Sequence, residues 1–535
     1  MTPPRHNGHR VRRTAEDVFG HARLLPGQEE ATRALLDGHD VLLVSPTGSG
    51  KSLTYQVAGL LMDGCTVVVS PLLALQQDQI EGLSELGPDA RASRVSSAET
   101  ETQRAEALEA ARTGEVEFLF LAPEQLANPD VRRAVAALEP SLVAVDEAHC
   151  VSAWGHDFRP DYFRLGELIE EIGNPRIIAL TATAAPPVRA DIVERLGLRD
   201  HRTVVTGFER ENIALAVQRC LTADDARRIV VDTVAGAEGS GIVYCRTRKA
   251  TEEYAAALEE AGRSACVYHA GLGQKRRTQA QEAFMAGEVE VIVATSAFGM
   301  GIDKSDIRFV VHAQVPESPD TYYQEVGRAG RDGDPATATL VYRPEDLSLG
   351  RFFTSGIPER DDVAAVLAAV EATGGTDPRE VRERTGFGTR KAGRILNLIE
   401  QVEQTGGRLD AGAETIEAVV ERAEAHRSLQ QSRVDMMRGY AETGRCRAEY
   451  LLGYFGEEQD DLCETCDNCR EGVATATSRN ADSSFPLQSL VRHEEFGTGT
   501  VTDLEEDRIT VLFDDVGYRT LALEVVEEQG LLERA

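Results

Sequence analysis

The sequence is poor in lysine and in aromatic residues, and it lacks any long hydrophobic run. Only five of its 57 basic residues are lysine, one residue is tryptophan, and aromatic residues make up 5% of the 535. No window approaches the roughly 18 consecutive apolar residues that indicate a transmembrane helix. No apolar stretch follows the arginines at the N-terminus, so we expect no secretory signal. These absences predict a soluble, cytoplasmic protein without a membrane partner.

Positive charge is also scarce, because 89 acidic residues outnumber 57 basic ones and give a net charge of −32. Contact with nucleic-acid phosphates needs lysine or arginine. Taken alone, the composition therefore argues against a nucleic-acid partner. Net charge sets only the mean field around the molecule, however, and a local group of arginines can still bind phosphate against that background.

Cysteine is rare and unevenly placed. Nine cysteines in 535 residues are too few for a disulfide framework, and five of them are scattered. The other four are Cys446 and, after sixteen residues, Cys463, Cys466 and Cys469. Four thiolates at this spacing can close a tetrahedral Zn²⁺ shell, and a closed shell is structural rather than catalytic. The alternative interpretation is a group of free buried thiols.

Short apolar runs alternate with helical stretches from residue 40 to about residue 345. Such runs predict parallel sheets covered on both faces by helices, which is an α/β fold. The runs form two series, so we expect two lobes, at residues 1–207 and 208–350, with a junction near Gly207–Asn212. The predicted strands are Val41–Ser45, Thr66–Ser70, Val116–Ala122, Leu142–Asp146, Ile177–Leu180, Gly241–Cys245, Ala265–His269, Val289–Ala294 and Arg308–His312.

The remaining residues predict smaller modules. Residues 351–411 show helical spacing of apolar residues and a turn at Gly386-Phe387-Gly388, which indicates a helix-turn-helix or winged-helix-like unit. Residues 412–472 form a helical module with the four cysteines, and residues 473–485 form a linker. Residues 486–535 alternate at Ile509–Phe513, with odd positions expected to face a core. Turns at Gly497, Gly499 and Gly517 complete the pattern of a five-stranded SH3-like barrel.

The segment Ser45-Pro46-Thr47-Gly48-Ser49-Gly50-Lys51-Ser52 lies between a predicted strand and a predicted helix. Its glycines let backbone N–H groups approach a phosphate, so Thr47, Gly48, Ser49 and Gly50 are candidate nucleotide-binding residues. In this interpretation Lys51 contacts the β- and γ-phosphates and Ser52 binds Mg²⁺. The alternative is an ordinary glycine-rich turn.

Two further motifs carry candidate catalytic residues. Asp146-Glu147-Ala148-His149 ends a predicted strand, and we expect Asp146 to hold Mg²⁺ through water and Glu147 to activate the attacking water, with His149 beside them. The alternative is a solvated acidic loop. The second motif runs from Gln324 to Asp332.

In that second motif Gln324 is a candidate catalytic residue. Arg331, together with Arg328, is expected to stabilise charge on the γ-phosphate from across a cleft. A basic surface turn is the alternative.

With these motifs the chain resembles the superfamily-two helicases and, among them, the RecQ family, over residues 14–350 and 415–470. The resemblance implies two RecA-like lobes, with ATP, Mg²⁺ and Zn²⁺ as cofactors. It also implies an ATP-driven DNA helicase moving 3′-to-5′ in DNA repair or recombination. Pro26-Gly27-Gln28 resembles the adenine motif, with Gln28 on the base. Further matching segments are Ser70-Pro71-Leu72, Thr181-Ala182-Thr183 and the run from Ala294 to Lys304.

The segment from Val151 to Pro160 resembles the family's aromatic-rich loop, which couples DNA binding to ATP hydrolysis. It contains the only tryptophan of the chain. Trp154 and Phe158 can stack on single-stranded bases, while His156 and Arg159 can contact phosphate or base. The implied substrates are single-stranded DNA and tailed duplex DNA. Core packing of the aromatic pair is the alternative.

The C-terminal modules are arranged differently from those of the family. The family's usual winged helix follows the zinc module, whereas here a helix-turn-helix-like unit precedes it. Arg390 and Arg394 lie on its last helix, opposite Ile395 and Leu398, as a DNA contact or a solvated basic face. This leaves a translocase without strong unwinding, or an RNA helicase, as alternatives.

Residues 486–535 resemble the Tudor-like tail of UvrD-family helicases. That resemblance implies a protein partner such as RNA polymerase or a repair factor. A nucleic-acid contact and a passive cap on the zinc module are the alternatives.

Overall fold

The computed structural model describes residues 7–71, 73–87, 90–152, 162, 164–299, 304–347, 356–373, 375, 378–404, 412–457, 459, 461–474, 485–505, 507–514 and 516–534. The chain divides into two compact units. The first consists of residues 1–343 and 440–477, and the second of residues 344–439 and 478–535. Among the described helices, none combines the length and the apolar composition needed to cross a bilayer.

The first lobe contains a seven-stranded parallel sheet in the order β3-β4-β2-β5-β6-β1-β7. Its central strands are runs of aliphatic residues buried on both faces, as in Val41–Val44 and Leu142–Val145. The strands are β1 (Val41–Val44), β2 (Thr66–Val69), β3 (Ala92–Val95), β4 (Phe118–Leu121), β5 (Leu142–Val145), β6 (Arg176–Thr181) and β7 (Arg202–Val205). The helices are Asn7–Asp17, Gln28–Leu36, Ser52–Leu61, Leu73–Glu85, Glu101–Arg112, Pro123–Ala127, Pro129–Ala136, Leu165–Glu171 and Pro186–Arg195, with a 3₁₀ turn at Ala148–Val151.

The second lobe contains a six-stranded parallel sheet in the order β10-β11-β9-β12-β13-β8. Its strands are β8 (Ile213–Arg219), β9 (Ser240–Tyr244), β10 (Ala265–Tyr268), β11 (Val291–Ala294), β12 (Ile307–His312) and β13 (Ala336–Tyr342). Its helices are Ala223–Gly236, Arg248–Glu260, Gln274–Met285 and Pro319–Val326. Residues 207–212 connect β7 of the first sheet to β8 of the second, and we call them the interlobe segment.

The nine predicted strands of the two lobes are confirmed, with ends that differ by one or two residues. Four strands of the structure were not predicted, namely β3, β7, β8 and β13. Three of these, β3, β7 and β8, lie at sheet edges, where one side is exposed and polar residues such as Arg202 and Thr203 are tolerated. The sequences of β3 and β7 therefore lack the continuous apolar run on which the prediction depended, whereas β8 has such a run at its start and was overlooked.

The part of the first unit that carries the four clustered cysteines includes two short helices, Arg447–Tyr454 and Asp467–Arg470. They contact the second lobe at its edge strand and at helix Pro319–Val326. The Asp467 carboxylate accepts a hydrogen bond from the backbone N–H of Val217 in β8 at 2.7 Å. The Tyr322 and Tyr440 hydroxyls are 3.0 Å apart. We call residues 440–474 the cysteine module.

The second unit contains helices Arg360–Thr373, Pro378–Thr385, Thr389–Gln404 and most of Ala413–Glu442. The first three pack as predicted, with Gly386 at a positive φ of 70° in the turn. The described residues of 356–404 contain no strand, so a wing is not seen there. Val419, Val420 and Ala423 of the long helix join the same core. The predicted boundary at residue 412 stays a prediction.

The C-terminal residues form a five-stranded antiparallel sheet in the order β17-β16-β15-β14-β18, in agreement with the predicted small β domain. Its elements are β14 (Leu490–His493), β15 (Gly497–Leu504), β16 (Arg508–Phe513), β17 (Gly517–Ala522), helix Leu523–Gln529 and β18 (Leu532–Arg534). We call this part the C-terminal β domain.

In the C-terminal β domain the odd positions of β16 are buried as expected, and Thr510 and Leu512 are buried too. The strand beside them, β17, packs on helix Ala413–Glu442, where the backbone N–H of Tyr518 donates to the Ser432 hydroxyl at 3.0 Å. The face that carries the even positions of β16 is therefore also covered. An alternating pattern predicts one buried and one solvent-exposed face, so it could not indicate this contact.

Candidate active site

The predicted phosphate loop connects β1 to helix Ser52–Leu61, at the carboxyl end of the first parallel sheet. Gly48 and Gly50 adopt positive φ angles of 81° and 65°, which side chains other than glycine rarely adopt. The Lys51 ammonium donates to the carbonyls of Ser45 and Pro46 at 2.9 and 3.1 Å. Burial lowers the pKa of Lys51, and the carboxylates of Glu147 and Asp146 oppose that shift. The carbonyls of the phosphate loop thus bind its own lysine, which lies near the carboxylates of Asp146 and Glu147.

Asp146 and Glu147 follow β5 at the same edge of the sheet. Asp146 accepts hydrogen bonds from the Glu147 backbone N–H at 3.0 Å and from the Ser70 hydroxyl at 3.4 Å. Burial and the adjacent Glu147 carboxylate raise the pKa of Asp146, whereas Lys51 lowers it. Glu147 itself has φ 50° and ψ 47°, a left-handed conformation that costs a non-glycine residue about 1–3 kcal/mol. Such strain is typical of functional sites.

A chain of polar contacts runs from Glu147 toward the second lobe. His149 Nδ1 lies 3.3 Å from Glu147 Oε2 and 3.0 Å from the Thr181 hydroxyl. Thr181 donates to the carbonyl of Thr183 at 3.0 Å. Gln324 Nε2 of the second lobe then lies 3.4 Å from the Thr183 hydroxyl. The structure therefore joins the predicted residues His149 and Gln324 through two threonines.

Arg331 of the second lobe lies against the phosphate loop of the first. A Cβ added to Gly48 would be 3.2 Å from Cγ and 3.3 Å from Cδ of Arg331. Arg328, which we expected to reach the phosphates as well, is placed differently. It is 5% exposed, and its guanidinium donates to the carbonyl of Gly299 within the second lobe. Of the two arginines, only Arg331 is at the loop in this structure.

Gln28 is buried beside the phosphate loop. Its amide nitrogen donates to the carbonyls of Ser49 and Gly50 at 2.9 and 3.0 Å, and its oxygen accepts from the Leu25 backbone N–H at 2.8 Å. The side chain therefore holds the loop through its backbone. Its expected contact with adenine stays a prediction.

Two residues of the interlobe segment hold the arginine-bearing loop and were not predicted from the sequence. Arg210 donates to the carbonyls of Gly327, Ala329 and Gly330 at 3.1, 2.8 and 3.2 Å. Asn212 donates to Gly330 at 2.8 Å. No local pattern marks these residues, because their partners are more than 100 positions away in the sequence.

The four predicted cysteine ligands come together in the cysteine module. The sulfur atoms of Cys446, Cys463, Cys466 and Cys469 all lie within 4.8 Å of one another, and Cys446 and Cys466 are buried. Tetrahedral zinc holds thiolates at about 2.3 Å, which places sulfurs close to this spacing. Arg447 braces the cluster by donating to the Asp467 carboxylate at 2.5 Å and to the Tyr440 carbonyl at 2.8 Å. The donor set fits a structural zinc ion.

The expected DNA contacts are only partly visible. Trp154, His156, Phe158 and Arg159 lie outside the described residues, as do residues 300–303 of the motif that ends at Lys304 and the side chain of Arg390. Arg394 is described and exposed, with its guanidinium against Gly356. The ends of the aromatic loop are anchored in the first lobe, where the Ser152 hydroxyl donates to Asp191 at 2.6 Å and the Tyr162 hydroxyl donates to the Asp146 carbonyl at 3.2 Å.

Three protein families match successive parts of the chain. Residues 25–191 match the DEAD/DEAH box helicase family, residues 224–333 the helicase conserved C-terminal domain, and residues 398–470 the RecQ zinc-binding family. The crystal structure of the DUF1998 helicase MrfA bound to DNA is similar with a TM-score of 0.53 and 19% identity. That match covers 62% of this chain and 51% of the other, and it shows a shared fold.

Two bacterial proteins are similar over most of their length. The chain is 34% identical over 508 residues to the probable ATP-dependent DNA helicase RecS of Bacillus subtilis, covering 92% of this chain and 99% of that protein. It is 33% identical over 500 residues to the ATP-dependent DNA helicase RecQ of the same organism, covering 93% and 73%. With both lobes, the phosphate loop and the four-cysteine cluster in place, the chain belongs to the RecQ family of ATP-dependent DNA helicases.

Proposed function

We propose that this protein uses ATP hydrolysis to move 3′-to-5′ along single-stranded DNA and to unwind tailed duplexes in DNA repair or recombination. The observation that carries the proposed hydrolysis is the position of Arg331 against Gly48, near Lys51. The 3′-to-5′ direction and the role in repair or recombination rest on the resemblance to the RecQ family. An arginine from one lobe at the phosphate loop of the other makes hydrolysis depend on lobe closure. Cycles of closure and opening are what a two-lobed motor needs.

The phosphate loop and the acidic pair beside it offer the polar groups that ATP and Mg²⁺ need. Among the described residues, the Thr47 hydroxyl of the phosphate loop is buried without a hydrogen-bond partner. Thr47, Gly48, Ser49 and Gly50 would bind phosphate oxygens of ATP, and Lys51 would leave its carbonyl partners to pair with the β- and γ-phosphates. Ser52 and Asp146 would hold Mg²⁺, which neutralises charge on the phosphates. The residues present fit Mg²⁺ and ATP.

The catalytic roles follow from these positions. Glu147 would accept a proton from the attacking water, since its carboxylate lies beside the phosphate loop near Lys51 and, among the described residues, its Oε2 contacts only His149, at 3.3 Å. His149 and Gln324 would keep Glu147 and the facing loop in register through Thr181 and Thr183. Arg331 would stabilise the charge that develops on the γ-phosphate.

DNA would be sensed by the loop between Ser152 and Tyr162. In this proposal Trp154 and Phe158 stack on bases, and His156 and Arg159 contact the backbone or a base edge. The Tyr162 hydroxyl donates to the carbonyl of Asp146. Movement of this loop would therefore shift the backbone of Asp146, the proposed magnesium ligand. That contact supports coupling between DNA and hydrolysis.

The second unit would supply additional contacts. Arg390 and Arg394 would bind duplex phosphates, because they lie together on the last helix of a helix-turn-helix-like unit. Residues 486–535 would bind a protein partner such as RNA polymerase or a repair factor. Acidic residues including Asp503, Glu505, Asp507 and Asp514 disfavour direct phosphate binding there.

The proposal is tested by comparing ATP hydrolysis with single-stranded DNA and with single-stranded RNA, then strand displacement on duplexes carrying a 3′ or a 5′ tail. We expect DNA to stimulate hydrolysis more than RNA and the 3′-tailed duplex to be unwound. Stimulation by RNA alone would indicate an RNA helicase. DNA-stimulated hydrolysis without displacement of 3′-tailed duplexes or forks would indicate a translocase.

A further inference from the structure

The interlobe segment is held at one end by the cysteine module. The ring of Phe455 stacks on the ring of Phe208, with centroids 4.4 Å apart and planes 11° from parallel. The Glu457 carboxylate accepts a hydrogen bond from the Phe208 backbone N–H at 2.8 Å. The Phe208 carbonyl is also bound, because it accepts from the Tyr323 hydroxyl at 2.6 Å. Both backbone polar groups and the side chain of Phe208 are therefore fixed.

The same segment holds the arginine-bearing loop at its other end. Two residues after Phe208, the Arg210 guanidinium donates to three backbone carbonyls between Gly327 and Gly330. Arg331 is the next residue along the chain, and it lies against Gly48. A short path thus runs from Phe455 and Glu457, through Phe208 and Arg210, to the arginine at the phosphate loop.

This path connects the cysteine module to the arginine-bearing loop of the second lobe. The lobe closure and opening of the proposed ATP cycle would change the backbone angles of the interlobe segment, and Gly207 with φ 91° gives it that freedom at one end. Without a partner for Phe208, the segment and the carbonyls that Arg210 holds would sample more positions. A displacement of about 1 Å in a catalytic group can lower a rate by about two orders of magnitude.

We propose that Phe455 and Glu457 of the cysteine module are positioning residues for Arg331, acting through Phe208 and Arg210 of the interlobe segment. The proposal deepens the proposed ATP hydrolysis and rests on it. It assigns to the folded, metal-bearing module a role in the rate of hydrolysis, in addition to its role in the stability of the fold.

The main test replaces Glu457 by Ala and measures hydrolysis at saturating single-stranded DNA. We expect kcat to fall on the order of tenfold and KM for ATP to change by less than about twofold, because nucleotide-binding groups are untouched. Phe455→Leu keeps an apolar side chain and should give a smaller loss in the same direction. Glu457→Gln retains an oxygen that can accept from the Phe208 N–H and should recover part of kcat.

The decisive measurement is made in an Arg331→Ala background. If Glu457 acts through Arg331, then Glu457→Ala added to Arg331→Ala should lower kcat no further. The matched control is Glu442→Ala. Glu442 also binds the second lobe, by accepting from the Tyr342 hydroxyl at 2.6 Å, but it is not part of the path. We expect this control to hydrolyse ATP like the wild type.

Zinc content, thermal stability and hydrogen exchange separate positioning from general damage. Glu457→Ala should keep the wild-type zinc content and melting temperature, while amide exchange of residues 327–331 should increase several-fold. The exchange measurement needs no ATP, so it tests the path even if hydrolysis itself is not observed. Unchanged exchange in 327–331, loss of zinc in parallel with kcat, or an equal drop in kcat with and without Arg331 would each overturn the proposal.

Discussion

Arg331 and Gly48 come from different lobes and meet at the phosphate loop, where a Cβ on Gly48 would be 3.2 Å from Cγ of Arg331. Gly48 has a positive φ of 81°, which favours glycine, and any larger residue there would also crowd the Arg331 side chain. A guanidinium in this place can pair with the γ-phosphate as charge develops on it.

Replacing Arg331 by Ala should therefore impair hydrolysis much more than nucleotide binding. We expect kcat to fall by about 10³-fold, as for other arginines that stabilise phosphoryl transfer, with affinity for a non-hydrolysable ATP analogue changed only a few-fold. Steady-state ATPase assays and fluorescent-nucleotide titration measure the two quantities. Arg308→Ala is the matched control, because Arg308 is an arginine of the same lobe that pairs with Asp332 on the surface.

Glu147→Gln should bind ATP but turn it over at least about 100-fold more slowly, because the amide cannot accept the proton of the attacking water. Lys51→Ala should instead lose nucleotide affinity. Single-turnover hydrolysis and equilibrium binding distinguish these two effects. Glu139→Gln serves as the control, since Glu139 shares the left-handed backbone conformation, with φ 49°, but is exposed away from the site. Normal turnover by Glu147→Gln would contradict the role in water activation.

The sequence indicated the site more fully than it indicated how the site is held together. Strands β1, β5 and β11 are continuous apolar runs, so their positions and the loops that follow them could be predicted. Arg328 and Arg331 share one motif, but their directions depend on the turn at Gly330, with φ 58°, and on contacts to Gly299 and Gly48. Phe208 and Phe455 are 247 positions apart, and no periodic pattern connects residues at such a separation.

Metal removal should expose the four clustered thiols and leave other cysteines unreactive. We expect one Zn²⁺ per chain, bound by Cys446, Cys463, Cys466 and Cys469, and contributing on the order of 10 kcal/mol to local folding. Chelation should release it and make four thiols reactive at pH 8. Burial raises the pKa of Cys65 to about 12, so little thiolate forms at pH 8 and Cys65 should react slowly in the folded protein.

The same zinc experiment has a mutational counterpart. Cys466→Ser should lower solubility or unfold the cysteine module before any specific catalytic loss is seen. Cys65→Ser is the control, since Cys65 is a buried thiol outside the cluster. Metal analysis that finds no zinc in freshly purified protein would contradict the assignment.

Trp154→Ala and Phe158→Ala should uncouple hydrolysis from DNA. Basal hydrolysis should persist, while stimulation by single-stranded DNA should fall on the order of tenfold or more, because each stacked base contributes about 1–3 kcal/mol. Tyr162→Phe tests the connection to the site, since it removes only the hydroxyl that donates to the Asp146 carbonyl. ATPase rates with and without DNA measure the effect, and unchanged stimulation in the Trp154 and Phe158 variants would exclude the loop as the DNA sensor.

The C-terminal β domain should prove to be an integral part of the second unit. Gly517 begins β17 with φ 75°, and a Cβ there would lie 2.4 Å from the Ser432 hydroxyl and 2.9 Å from the Leu429 Cα of helix Ala413–Glu442. Around it, Ser428 donates to the Val516 carbonyl at 3.0 Å, and Arg519 donates to the Ser428 hydroxyl at 3.1 Å. This is a packed and hydrogen-bonded contact along one helix face.

Gly517→Ala combines backbone strain with a clash against main chain, and we expect it to destabilise the second unit by about 2–4 kcal/mol. Gly530→Ala is the matched control, because Gly530 has φ 60° but nothing within 4 Å of an added Cβ, so it carries the strain alone. Urea unfolding and amide exchange of residues 428–434 in the full chain measure the difference. Exchange there should rise in Gly517→Ala and not in Gly530→Ala, while DNA-stimulated hydrolysis by the first unit is retained. Equal stability of the two variants would mean that the contact between β17 and the helix contributes little to the free energy of unfolding. Residues 486–535 would then be able to bind a partner through the β17 face as well.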